Sequence, residues 1–170
     1  MSDLVASRTV RFILVHGTWG RGLFSKSIEP RTEVSDDAIL PTSSLKRLRW
    51  FDGGSDFRRE LTDALKGSQL SFATRVFLWD GANSIASRNK AAVSLATQLK
   101  ELAIENPDDP VVIVAHSHGG NVALRAAHIA GKPSTENLRV ITIATPFLQI
   151  RTYTSFHEDG VAFDTPYLKN

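Results

Sequence analysis

Cysteine is missing from all 170 residues, and methionine and tyrosine are scarce, at one and two. Without cysteine there is no disulfide framework, no thiolate nucleophile and no cysteine-ligated zinc. Such a chain suits a reducing compartment, so a cytoplasmic location is the expectation. No apolar run approaches the roughly 20 residues that a membrane-crossing helix needs. The N-terminus carries Asp3 with no apolar core behind it, so no secretory leader is expected. A charge excess of one sign is lacking too: the formal net charge is only +2. The basic cluster Lys46, Arg47 and Arg49 is followed at once by Asp52, Asp56, Glu60 and Asp63. Nucleic-acid binders carry a one-sided basic stripe, and nucleic acid is therefore not an expected partner.

What remains is ordinary globular material, 42% hydrophobic and 22% charged, long enough for one domain with a real core. Val10–Val15 is a compact apolar run closed by His16-Gly17 and reads as a strand buried on both faces. Residues 25–50 carry Pro30 and Pro41 and little periodicity. A helix is expected over 57–66, capped by Asp56 and stopped by Gly67. Arg75–Trp79 reads as a second strand, followed by a helix over about 84–105 capped by Asn83 or Ser84. A third strand over 111–115, a helix over about 118–130 and a fourth strand over 138–143 follow. Strands alternate with helices, so the fold class is α/β: a mostly parallel sheet of about four core strands, with helices on both faces. Residues 147–170 show no strong pattern. The chain stops abruptly at Thr165–Asn170, and the expectation is one domain over 1–170 with the C-terminal part of the fold missing.

The stretch Val111–Leu124 carries the chemistry. An apolar strand runs into Ala115-His116-Ser117-His118-Gly119-Gly120, and a helix leaves it. A serine at a sharp strand-to-helix turn exposes a nucleophilic hydroxyl, and small residues two positions away on each side relieve the crowding. The helix start supplies free amides and a partial positive charge for a developing oxyanion. The loop after the first strand, His16-Gly17-Thr18-Trp19-Gly20, can aim a second amide at the same place. Ser117 is thus the expected nucleophile, the Thr18 and His118 amides the expected oxyanion hole, and His16, Trp19 and His116 the expected walls of a substrate pocket, with structural hydrogen bonding for His16 and packing for His116 as the plainer alternatives.

These residues resemble the α/β-hydrolase family, in particular its small lipases and esterases. The resemblance rests on the His16-Gly17 strand end, the elbow at Ala115–Gly120 and Thr145-Pro146 after the next strand, and it spans about residues 9–147. Ala115 in place of the elbow's first glycine is similar to a variant found in a subset of lipases. The segment Trp79–Ser84 with Arg88 is similar to a stretch of bacterial hydrolase-like proteins. The resemblance implies a strand order of 4-3-5-6 in the family's strand numbering, the first two strands being absent. It also implies hydrolysis of a carboxylic ester of a small molecule or lipid, through an acyl-enzyme on Ser117, without cofactor or metal.

A serine needs a base and an acid to orient it, in this fold in the chain order serine, acid, histidine. Downstream of Ser117 the only acid before His157 is Glu136, at the wrong end of the sheet. His157 is the candidate base, with Asp159 or Asp164 as partner; His128 lies about three helical turns from the elbow. The alternative is a binding module of the same fold without a complete triad. A phosphate loop at Gly17, Gly20 and Gly22 lacks the spacing of the dinucleotide motif and the Gly-Lys-Ser/Thr of the P-loop. A metal site from His16, His116, His118 and Asp80 lacks a helical His-Glu motif. Leu23, Phe24, Phe147 and Leu148, with Trp19, are candidates for an acyl pocket or for plain packing. Substrate identity and oligomeric state are not encoded in any pattern here.

Overall fold

A computed structural model describes residues 8–21, 27–34, 48–68, 70–147, 153–156 and 162–164. Five strands form one sheet in the order β2-β3-β1-β4-β5: β1 (Thr9–Val15), β2 (Arg31–Val34), β3 (Ser71–Leu78), β4 (Val111–His116) and β5 (Leu138–Ile143). Helix α1 (Asp56–Lys66) precedes β3, α2 (Ile85–Glu105) joins β3 to β4, and α3 (His118–Ala130) joins β4 to β5. A separate antiparallel pair, β6 (Tyr153–Phe156) and β7 (Ala162–Asp164), follows. The four core strands β3-β1-β4-β5 are parallel throughout, in the order expected from the family resemblance.

The side-chain alternation of β1 separates two cores. Ile13 and Val15 face α2 and α3, in one cluster with Phe77, Trp79, Ile113 and Ala115 of the sheet and Leu95, Leu99, Val122 and Ala126 of the helices. Phe12 and Leu14 face the other way, with Val76, Leu78, Val114 and Phe51, against Phe57, Leu61 and Leu65 of α1. Burial on both faces explains why these strands read as continuous apolar runs rather than alternating ones. At the N-terminal end of the sheet, Arg11 reaches Asp109 at 2.8 Å and Asn106 at 2.6 Å, pinning the α2–β4 connection to β1.

Three local expectations change. Ser55, not Asp56, caps α1: its hydroxyl accepts the Arg58 amide, while Asp56 supplies the acid of the first turn. Strand β3 begins at Ser71, four residues before the apolar run, because these residues pair with the start of β1. Strand β2 lies inside the segment that showed no pattern. It is four residues long, antiparallel to β3 and at the sheet edge, directly after Pro30, where a missing N–H is tolerated. It is tied down from α2 instead: Thr32 bonds Gln98, Ser94 donates to the Pro30 carbonyl at 3.2 Å, and Lys90 pairs with Glu29 at 2.7 Å. Of the two candidate caps for α2, Ser84 serves, accepting the Ser87 amide at 3.0 Å.

Candidate active site

Parallel strands deliver their carboxyl ends to one side of the sheet, and the loops there meet. Ser117 sits at the end of β4 with φ 53° and ψ −134°, a backbone conformation that side-chain-bearing residues seldom adopt. Its amide donates to the Ile143 carbonyl of β5 at 2.8 Å, and its carbonyl accepts from Gly120 at 2.9 Å. The turn is held from both sides. Crowding explains the glycines around it. A Cβ on Gly119 would lie 2.5 Å from the His16 carbonyl oxygen and 2.7 Å from that of Val15, so α3 starts hard against the end of β1. A Cβ on Gly120 would run into the side chain of Thr145.

The Ser117 side chain faces the loop after β1. A Cβ on Gly17 would lie 2.7 Å from Ser117 Cβ and 3.2 Å from its Oγ. That loop is anchored by a pair of residues 63 positions apart. The His16 ring lies between Phe51 and Trp79, stacked on both. Its Nδ1 is 2.9 Å from the Gly17 carbonyl, which can only accept, so Nδ1 carries the hydrogen. Its Nε2 then accepts the Trp79 amide at 3.3 Å, and the Trp79 indole donates to the His16 carbonyl at 2.8 Å. Burial, aided by the charges of Arg21 and Arg49, lowers its pKa to about 4, so the ring is neutral. The next residue of consequence is Gly81, at φ 69°, whose carbonyl accepts the Trp19 amide at 3.0 Å. With Trp19 so engaged, the Thr18 amide and the His118 amide have no hydrogen-bond partner among the described residues.

Residues 53–165 match the model of the family Lipase (class 3). The chain belongs to the class 3 lipase family. No curated protein and no solved structure matches it. The matched stretch takes in the elbow and the Trp79–Gly81 corner but leaves out β1 and the His16–Gly20 loop. It agrees with the α/β-hydrolase resemblance and with the mostly parallel sheet.

Around Ser117, the lipase-family chain distributes its histidines unevenly. His16 offers no surface for a pocket wall: it is fully buried and both ring nitrogens are bonded within the framework. Its place is beneath the loop rather than beside a substrate. His116 is exposed and lies near Trp50 on the α1 side, and Trp19 is exposed at the loop tip with φ 55°. His118 is partly buried; burial first and the charge of Arg88 second lower its proton affinity. His128 is exposed in the last turn of α3, and Glu136 lies in the turn before β5, at the far end of the sheet from Ser117. Among the described residues no side chain bonds to the Ser117 hydroxyl, and no group of three or more His, Asp or Glu gathers that could hold a metal ion. His157, Asp159, Leu23, Phe24 and Leu148 lie outside the described residues, and of Asp164 only the backbone is described. No helix among the described residues is long and apolar enough to cross a membrane.

The sequence alone did not single out Trp79 and Gly81 as the holders of the loop after β1. Their only local signal is a tryptophan and a glycine closing a strand; the partner that gives them meaning lies on the adjacent strand.

Proposed function

We propose that this protein is a serine hydrolase of carboxylic esters. The observation that carries the reading is Ser117, a non-glycine residue in a strained backbone conformation, at a strand end, facing a loop whose Thr18 amide has no partner among the described residues. In this reading Ser117 Oγ attacks the ester carbonyl carbon. The carbonyl oxygen becomes an oxyanion held by the Thr18 and His118 amides, an arrangement in which each donor is worth about a hundredfold in rate or more. The hydroxyl proton passes to a histidine and on to the departing alcohol. Water then cleaves the acyl-enzyme by the same route. For that histidine the sequence offers His157, a role to be tested on the protein itself.

A fluorophosphonate probe forms a stable bond only with an activated serine. Labelling of the wild-type protein, lost in Ser117→Ala and in His157→Gln, is the expected result. A second reading has its own support: among the described residues Ser117 has no base. Absence of labelling in a protein that is folded by circular dichroism would favour a lipase-like binding module that holds ligands without turnover.

A further inference from the structure

We propose, building on the Ser117 reading, that Arg88 is a specificity-determining residue that binds an anionic oxygen group of the ester cleaved at Ser117. The group is a carboxylate or a phosphate. The argument starts from helix periodicity. Ala92, Leu95 and Leu99 form the buried stripe of α2 and share a cluster with Val122 and Ala126 of α3. Arg88 continues that stripe one turn toward the N-terminus of α2. Because β3 and β4 are parallel, α2 and α3 both begin at the carboxyl end of the sheet, so this extra turn lies beside the start of α3. The first residue of α3 is His118, directly after Ser117, and the charge of Arg88 is felt there.

The guanidinium at this place is short of partners. Its NH1 donates to Asn83 Oδ1 at 3.2 Å, and among the described residues no carboxylate pairs with it. Arg11, Arg31, Arg49 and Arg59 each have a carboxylate partner within 2.8 Å. Asp80, an acid in the same segment, has its Oδ1 engaged elsewhere: it accepts the Ala82 amide at 2.9 Å and bonds the Ser87 hydroxyl. An arginine presents five N–H donors in a planar fork suited to two anionic oxygens at once. Here most of that fork is unused among the described residues, on a side chain of intermediate burial in the first turn of α2. An anionic group on the ligand completes the arrangement; a neutral one leaves the donors unmet.

Two esters with one leaving group test this: 4-nitrophenyl butyrate, and the 4-nitrophenyl monoester of succinic acid, which adds a carboxylate. The wild-type ratio of kcat/KM is expected to favour the anionic ester by about tenfold or more. Arg88→Gln should bring the ratio near one and Arg88→Lys restore part of it, while Arg59→Gln on α1 keeps the wild-type ratio. Equal loss on both esters in Arg88→Gln would overturn the assignment, since Arg88 would then act only through the shape of α3. A binding arm does not depend on turnover. Monomethyl succinate or glycerol 3-phosphate should raise the melting temperature of Ser117→Ala but not of Ser117→Ala/Arg88→Gln, and the more effective ligand tells carboxylate from phosphate. No rise with either overturns the proposal. A protein that neither labels nor hydrolyses, yet shows the Arg88-dependent rise, would instead refute the Ser117 chemistry and keep the anion site.

Discussion

His16 shows how much a single side chain can fix. It is uncharged because burial makes its protonation costly, and both ring nitrogens are committed to backbone groups of two different strand ends. The unfolded chain, in which a histidine titrates near 6.5, binds this proton more readily than the folded one. Stability is therefore complete above pH 6.5 and falls as the pH drops toward 4, by about 3 kcal/mol from this residue alone. Urea denaturation followed between pH 7 and 4 should show that slope, and His16→Asn, which keeps a donor near Nδ1, should lower stability at pH 7 and flatten the slope by about one proton. The serine was legible from a few residues, because the small-x-Ser-x-Gly spacing is a local steric demand. The histidine lock was not, since Trp79 is distant in sequence and only the pairing of β1 with β3 brings it close.

At the scale of elements, the start of α3 depends on how near it comes to β1. Alanine in place of glycine inside a helix ordinarily stabilises by about 0.5–1 kcal/mol. At Gly119 the sign reverses, because the added carbon meets two backbone carbonyls that cannot rotate aside. Gly119→Ala is expected to cost about 1–3 kcal/mol, as overpacking does, and to reduce fluorophosphonate labelling further by shifting the His118 amide; an unchanged denaturation midpoint would contradict this packing. Apolar runs made β1, β4 and β5 readable, and helical spacing did the same for α2. Strand β2 escaped because a four-residue solvated edge has no apolar run to show. The first half of β3 escaped because Ser71–Thr74 is only half buried.

Across the whole molecule, coverage of the sheet is uneven. Among the described residues, helices α2 and α3 cover one face, whereas α1 packs on the other over β3, β1 and β4. Among the described residues β5 has no further neighbour, and on its uncovered face Ile141 and Ile143 are 49% and 42% exposed, with Phe147 beyond them at 72%. A strip of this kind on an edge strand favours association. Sedimentation velocity should show concentration-dependent self-association, relieved in Ile141→Thr/Ile143→Thr; a monomer at all concentrations would speak against it. The opposite situation holds at β1, which is hydrogen-bonded along both sides, to β3 and to β4. The loop bearing Thr18 hangs from this doubly braced strand and the serine from its immediate neighbour, so neither can drift without unzipping the middle of the molecule. Chimeras that replace the outer loop segments can therefore change the surroundings of Ser117 while its alignment with the loop after β1 is kept.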